Sequence, residues 1–467
     1  MIYDAVIIGG GIVGCSILNK LTRLNKNVAL IEKGDDVALG ASRANSGIVH
    51  AGFDCKPNTL KAKFNVRGNE LIYKLAAELG VDCINCGAVV VGNKKSVVNE
   101  LLSRGKKNGV KNLEVLNREQ LLKLVPSLSD NVTCGLYAKT SGIISPFIYT
   151  VALAEEAVLN GAKVFFNTLI NKVVDNKTYY TLSGKNFSIQ AKTIINASGA
   201  GYNDVAKLIG SETYDINFRR GEYFLLDNTA NYLTNLTVFP LPDPKSKGVL
   251  VTPTSHGEII VGPTSYDSDA STITTPDGLN EIKQKASSII SNIPFKQSIR
   301  NFSGVRVIVG DDFVVENSKL KHDVVNLAGI CSPGLTSAPA IAEYVALELL
   351  KLTDNEKTMK KRSPYTVVSK MEKSQINKLV KKDANYGKII CKCEKVTLGE
   401  ILEALNSPLK PRSVDAVKRR VYAGMGRCQG GFCLTRVISA IANNSNISVL
   451  DVNKENIGSN FYIDNIK

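Results

Sequence analysis

Short apolar runs and helical stripes alternate from the first residues of the chain. Tyr3, Ala5, Val6, Ile7 and Ile8 form an apolar run of strand length. A glycine-rich turn follows, and Ile17, Leu18 and Leu21 then recur at helical spacing. A second apolar run, Val28 to Ile31, ends at Glu32. Downstream, 60–79 reads as a helix with Phe64, Leu71, Leu75 and Leu79 on one face. The run 86–92 reads as a buried strand. The stretch 97–125 looks helical with interruptions, and 146–160 is a helix that begins at Pro146. Strands are expected at 164–166 and 179–181, and a buried strand at 191–197 leads to a helix at 203–208. Between 217 and 310 the pattern is of β type: 223–226, 249–251, 259–262 and 305–308. A last buried strand, starting at Val324, ends in a glycine turn, and a helix is expected over 338–350.

The first turn is Gly9-Gly10-Gly11-Ile12-Val13-Gly14. Strand, glycine turn, helix, strand and acid, in that order, make a dinucleotide-binding βαβ unit. Gly9 permits the tight turn, Gly11 lets backbone approach a pyrophosphate, and Gly14 lets the helix lie close to the strand. The helix N-terminus offers free N–H groups to phosphates. Glu32 is placed to hold ribose hydroxyls and disfavours a 2′-phosphate. Two further strand-turn-helix elements carry small residues at the turn, at 196–201 and 329–337. After Glu32, the stretch 40–52 is rich in small and hydroxyl residues with Arg43 and His50. Three such turns suit a large dinucleotide such as FAD better than NAD. The β-type runs between them read as an antiparallel substrate sheet inserted into an α/β nucleotide domain.

The length of 467 residues suggests two or three domains. No apolar run is long enough to span a bilayer, and no basic leader precedes the first strand. The expectation is a cytoplasmic protein with at most peripheral membrane contact. The formal net charge is +15, with the excess between 351 and 395 and near Arg419, Arg420 and Arg427. Trp is absent and no basic–aromatic pattern appears, which argues against nucleic acid. The charge is a solvated surface, or it serves an anionic substrate, an acidic partner or an anionic membrane surface. Cys83 and Cys86 form a CxxC but read as core thiols, because no helix N-terminus follows to lower a thiol pKa.

These motifs resemble the FAD-dependent oxidoreductases of the D-amino-acid oxidase and glycerol-3-phosphate dehydrogenase superfamily, over residues 1–352. The resemblance rests on Gly9 to Gly14 with Glu32, on Ser46 to Gly52, on Asn196 to Gly199, on Arg220 to Tyr223, on Gly304-Val305-Arg306 and on Ser332 to Thr336. It implies a Rossmann-type FAD-binding domain built from 1–85, 145–210 and 300–352, with the substrate sheet at 86–144 and 211–299. Cofactor contacts are expected from Gly9, Gly11, Ile12, Val13, Gly14, Glu32 and Lys33, and from Ser42, Arg43, Ser46 and Gly47. Ala197, Ser198 and Gly199 form the next group, and Gly329, Pro333, Gly334, Leu335 and Thr336 the last. The nearest likeness is to enzymes that oxidise glycerol 3-phosphate or 2-hydroxy acids such as 2-hydroxyglutarate. Amino or imino acids are an alternative.

The resemblance gives Arg306 the anionic end of the substrate, where a guanidinium suits a forked contact. The other reading of Arg306 is an ion pair with an acid such as Asp311. His50 is either the base that takes the hydroxyl proton as hydride leaves carbon, or a hydrogen-bonded structural residue. His256, in Pro253-Thr254-Ser255-His256-Gly257, is a turn residue or a second active-site group. Tyr223 faces the substrate or packs. One departure stands out: larger quinone-linked glycerol-3-phosphate dehydrogenases carry a basic residue in the last flavin turn. Residues Ser332 to Thr336 contain none.

After a basic linker at 353–388, expected to be helical, come Cys391-Lys392-Cys393 and, after 34 intervening residues, Cys428 with Cys433. Two short helices, 398–405 and 414–423, lie between. Four thiolates at the ends of a helical hairpin can close a four-sulfur site, and spacing alone leaves zinc and [2Fe–2S] equally open. The stretch 389–467 resembles the small helical [2Fe–2S] domain of bacterioferritin-associated ferredoxin, which implies Cys391, Cys393, Cys428 and Cys433 as cluster ligands. Together the resemblances imply a flavin dehydrogenase that exports single electrons to a carrier protein or quinone, with a second flavoprotein subunit as a further partner. The rival is an electron-transfer subunit with a degenerate flavin site of its own.

Overall fold

The computed structural model describes residues 1–242, 248–462 and 464. In it the strand Ile2–Ile8 lies between Val28–Ile31 and Phe187–Asn196, parallel to both. Lys163–Phe165 extends this sheet beside Val28–Ile31, and Val324–Ala328 joins it alongside Phe187–Asn196, again parallel. These strands are apolar on both faces because both faces are covered. On one, Ile7 and Leu30 pack with Ile17 and Leu21 of the helix Ile12–Arg23, with Leu153 of the helix Pro146–Leu159, and with Ile341 of the helix Gly334–Tyr344. On the other, Val6, Ile8 and Ile31 pack with Tyr180, Leu182 and Ile209. The parallel order brings the carboxyl ends at Ile8, Asn196 and Ala328 to one edge. The three glycine turns expected from sequence therefore converge there.

The second sheet contains Ile216–Leu226, paired along its length with Ser298–Val309, from Ile216 opposite Val309 to Leu226 opposite Ser298. The strand that carries Arg306 is thus a member of this sheet, and of the expected 300–352 nucleotide segment only the part after it joins the first sheet. The second sheet is antiparallel except where Thr237–Pro240 runs parallel to Ala88–Gly92. That pair is the seam between the two pieces of chain that build the sheet.

Three expectations need correction. Within 97–125 the structure has two helices, Lys95–Lys107 and Arg118–Leu124, separated by the strand Leu113–Asn117. Val115 and Leu116 face different apolar clusters, so the strand follows period two in a stretch too short to show it. The last helix of the nucleotide domain starts at Gly334 and not at 338. Pro339 lies inside it and removes the N–H that would bond the Leu335 carbonyl. The linker is α-helical only over Lys373–Lys382, with short 3-10 turns at Val368–Lys370 and Ala384–Gly387. Its first part is extended and bolted down: Lys20 pairs with Asp354 and Glu356 at 2.7 Å, and Arg362 reaches the buried Glu155 at 3.0 Å.

The carboxy-terminal domain opens with a small hairpin, Ile389–Cys391 with Val396–Thr397. Thr397 caps the helix Leu398–Leu405 in a reciprocal capping box with Glu400. Helices Val414–Val421 and Leu434–Ser445 complete the domain around Ile401, Val417, Ile438 and Ile441. Among the described residues no helix is long and apolar enough to cross a membrane.

Candidate active site and iron–sulfur centre

The three glycine turns open into one cavity of about 930 Å³, walled by both sheets and by the carboxy-terminal domain. Gly9 has φ +112°, and a Cβ on Gly14 would lie 2.0 Å from the Gly9 carbonyl oxygen. Strand and helix therefore touch backbone to backbone, and no side chain fits between them. Gly11 lines the cavity, and a Cβ there would meet only Ser42 Oγ, at 3.2 Å. The bare backbone at Gly11 is a cradle that a side chain would fill. Ser42 Oγ accepts the Ile12 N–H at 2.9 Å. Glu32 is held by two N–H groups, Gly10 to Oε2 at 2.7 Å and Gly34 to Oε1 at 2.8 Å. Its carboxylate is thus oriented before any ligand arrives.

Ile12, Val13, Lys33, Ser42, Arg43, Ser46 and Gly47 line the cavity, as do Ala197, Ser198 and Gly199. Gly329, Pro333, Gly334 and Leu335 close its far side. Two expected contacts do not. Gly14 is spent on the Gly9 carbonyl. Thr336 is buried behind the wall, where its hydroxyl donates to the Ile48 carbonyl at 3.2 Å and accepts the His50 N–H at 2.9 Å. Thr336 therefore positions His50 and leaves the cavity wall to Leu335.

His50 lines the cavity, with Nε2 3.5 Å from Ser332 Oγ. Its carbonyl accepts from Asn65 at 2.7 Å and Asn69 at 3.1 Å, so its backbone is anchored from the helix Leu60–Glu78. Arg306 lines the same cavity. Among the described residues its guanidinium donates only to the Thr264 carbonyl, at 3.4 and 3.5 Å, and it lies close over Gly221, where a Cβ would come within 2.8 Å of Nη2. Among the described residues Arg306 has no ion pair with Asp311. Tyr223 also reaches the cavity but is 4% exposed and stacked on Phe302 at 4.7 Å.

His256 takes the turn position, the first of its two readings. It sits in the turn between Leu250–Pro253 and Ile259–Gly262, off the cavity wall. Its Nε2 lies 2.8 Å from Glu394 Oε2, and its ring stacks on Tyr422 at 3.9 Å and 7°. Burial pulls the imidazole pKa down, but Glu394 and Glu258 outweigh it and raise the pKa overall. Cys83 and Cys86 are free and half-buried, and burial pushes the Cys83 thiol up to about 12.

Sequence reasoning missed the groups that the carboxy-terminal domain adds to the cavity. Tyr422, Met425 and Gln429 of the cysteine loops line it, as do Lys418, Lys454 and Glu455. It also missed Asp36, whose buried carboxylate receives Arg419 at 3.0 Å and Arg420 at 2.8 Å. The two arginines in succession were visible, but nothing local pairs them with an acid hundreds of residues away.

Among the described residues no group of three or more His, Cys, Asp or Glu is arranged to hold a single metal ion. The four carboxy-terminal thiols act on one another, Cys391 with Cys433 and Cys393 with Cys428 as hydrogen-bonded partners and Cys391 with Cys428 across them. Cys391 is lowered by the Cys433 thiol, against burial, with help from the Glu394 and Gly424 N–H groups. Cys433 is raised in return. Four thiols gathered in this way suit a four-sulfur metal site. Gly424 and Gly426 keep the loop close: a Cβ on Gly426 would lie 2.6 Å from Cys393 Cβ.

The family model "FAD dependent oxidoreductase" matches residues 4–347. The chain belongs to this FAD-dependent oxidoreductase family. A second model, "BFD-like [2Fe-2S] binding domain", matches residues 389–443 of the oxidoreductase. A glycerol 3-phosphate dehydrogenase of Caloramator mitchellensis is 41% identical over 98% of this chain and 97% of its own. A glycerol 3-phosphate oxidase of Mycoplasma genitalium is 32% identical over 75% of this chain and 94% of its own. Among solved structures, the FAD-bound L-alpha-glycerophosphate oxidase of Mycoplasma pneumoniae superposes with a TM-score of 0.71 at 28% identity, over 78% of this chain and 97% of that one. The oxidoreductase thus binds FAD and, in its carboxy-terminal domain, a [2Fe–2S] cluster, and is a close relative of glycerol 3-phosphate dehydrogenase.

Proposed function

We propose that this oxidoreductase dehydrogenates glycerol 3-phosphate and exports the electrons through its [2Fe–2S] domain. The observation that carries the reading is Arg306, a cation on the cavity wall whose only hydrogen-bond partner among the described residues is the Thr264 carbonyl. Such a guanidinium is available to an anionic substrate group as a charge-assisted, forked donor. His50 on the same wall supplies Nε2 to take the proton of the substrate hydroxyl, and Ser332 Oγ orients that ring. Tyr223, locked against Phe302, shapes the space between. Gly11, the Ile12 helix start and Glu32 hold the nucleotide, and Cys391, Cys393, Cys428 and Cys433 hold the cluster. Bound FAD supplies the hydride acceptor, and the cluster takes electrons one at a time.

Electrons leave toward a carrier protein, a quinone or a second flavoprotein subunit. Tyr422, Met425 and Gln429 of the cysteine loops line the cavity, which supports a short internal route. The absence of Lys or Arg from Ser332 to Thr336 favours a second reading, in which Arg306 binds the carboxylate of a 2-hydroxy acid. Anaerobic titration of the purified protein with glycerol 3-phosphate, L-2-hydroxyglutarate and amino acids decides between them. Bleaching of the bound flavin by glycerol 3-phosphate at low concentration is the expected result. Bleaching by L-2-hydroxyglutarate alone would overturn the first reading.

A further inference from the structure

Residues 449–460 lie beyond both matched regions of the chain. They nevertheless return to the flavin domain. The Val414 N–H donates to the Asn453 carbonyl at 3.1 Å and the Asp415 N–H to the Lys454 carbonyl at 2.8 Å, so the segment is tied to the start of a cluster-domain helix. The Lys454 N–H donates to the Ser459 carbonyl at 2.8 Å, and the Glu455 N–H to Ser459 Oγ at 3.0 Å. These bonds hold 454–459 as a tight loop.

The loop meets the nucleotide domain beside Glu32. Asn456 Oδ1 accepts the Asp35 N–H at 3.4 Å, and a Cβ on Gly34 would come within 3.1 Å of the same oxygen. Glu455 pairs with Arg43, and with Arg419 at 2.9 Å. Lys454 and Glu455 line the cavity together with Glu32, Lys33 and Arg43. Behind the loop, Asp36 grips Arg419 and Arg420, all three being 3% exposed or less. A buried, fully engaged ion cluster adds little net stability over apolar packing, but it is strongly disfavoured from coming apart one partner at a time. It therefore fixes where the cluster domain docks.

We propose that the loop 453–459 is a strap across the Glu32 side of the FAD site, locked by Glu455 on Arg43 and Arg419 and by Asp36 on the two arginines. FAD leaves only when the strap opens, and the occupied site in turn holds the strap down. The proposal rests on the FAD site and is independent of which substrate the enzyme oxidises. The Mycoplasma pneumoniae oxidase holds FAD while covering 78% of this chain. A family flavin site can thus form with much less chain, and the strap is expected to govern release more than the ability to bind.

The test uses the full-length holoenzyme and the double variant Glu455→Gln with Asn456→Ala. FAD release on dilution is followed by recovery of free-flavin fluorescence, with iron content and the visible cluster spectrum measured on the same samples. Release should be faster by about tenfold or more, the scale of one lost charge-assisted hydrogen bond, with iron unchanged. Unchanged release would overturn the proposal, as would loss of iron with FAD still held. Hydrogen exchange on the unmutated protein gives a readout that does not depend on the variant folding. Amides of 449–460 should exchange faster after FAD is stripped, and equal protection with and without FAD would also overturn it.

Discussion

His256 Nε2 and Glu394 Oε2 lie 2.8 Å apart, one in the turn of the substrate sheet and the other directly after Cys393. The contact joins the substrate half of the enzyme to its cluster loop, and the stack of His256 on Tyr422 extends it to a residue that lines the flavin cavity. His256→Ala should therefore leave anaerobic bleaching of the flavin by substrate intact, since the ring is not on the cavity wall. Delivery of electrons to an external acceptor should slow, because the cluster loop loses its fixed distance from the cavity. Comparing single-turnover bleaching with steady-state turnover checks this. A loss of bleaching itself would return His256 to the substrate site.

Gly11 and Gly14 should fail differently when substituted. A side chain on Gly11 meets only Ser42 Oγ, so Gly11→Val should fold and keep its iron while losing FAD, because its isopropyl group occupies the cradle. A Cβ on Gly14 would sit 2.0 Å from the Gly9 carbonyl, against backbone that cannot move aside. Gly14→Ala should lose soluble expression or cost at least about 3 kcal/mol of stability, at the upper end of overpacking effects. Absorbance, iron content and thermal melting of the two variants distinguish these outcomes.

Arg306→Lys should weaken substrate binding by about 1.5–3 kcal/mol, the range for hydrogen bonds to charged groups, with FAD content unchanged. The forked geometry is lost while the charge remains. The midpoint of flavin bleaching against substrate concentration reads this directly. An unmoved midpoint would assign the anion to another cation on the wall, such as Arg300 or Lys418.

Cys428→Ser should uncouple the enzyme. Half of the Cys393 and Cys428 pair is removed, so iron should fall and the reduced-state electron-spin signal should vanish or shift. Substrate should still bleach the flavin once, and electron delivery to the natural acceptor should stop. Full turnover without the cluster would mean that the flavin passes its electrons directly to the acceptor.

Asp35 gives the docked interface a pH dependence. Burial lifts its carboxyl to about 6, against the pull of Arg419, while Asp36 and Glu455 push the same way as burial. An unfolded aspartate titrates near about 4. Between those values the folded chain holds a proton that the unfolded chain has lost, so this group lowers stability as pH rises through the window and keeps it lowered above. Asp35→Asn should raise the melting temperature at pH 7.5 more than at pH 4.5. An equal shift at both values would remove Asp35 as the cause.

Much of the nucleotide site was legible because its constraints are local. A strand that must turn sharply, expose bare backbone and enter a helix can do so with few residues, and Gly9, Gly11 and Gly14 announce that geometry within one short stretch. The same holds for the turns at Ala197 and Gly329 and for the helix Leu398–Leu405, whose capping Thr397 and Glu400 stand three positions apart. Boundaries were less legible where two local signals competed. The helix expected from 338 starts at Gly334, and Leu113–Asn117 was too short for its alternation to stand out from the helices around it.

What the sequence by itself determined was the glycine turns, the dinucleotide chemistry, the four cysteines and the candidacy of Arg306 and His50. Only the tertiary structure decided that His256 serves Glu394, that Thr336 stands behind the cavity, and that Asp36, Arg43 and Glu455 bind the cluster domain to the flavin site. The reason is physical. A turn or a cap is specified by the backbone of its own few residues, so its signature is written in adjacent positions. An ion pair such as Asp36 with Arg420 needs only opposite charge and proximity, and nothing in either residue's neighbourhood records which distant partner the fold will bring within 3 Å.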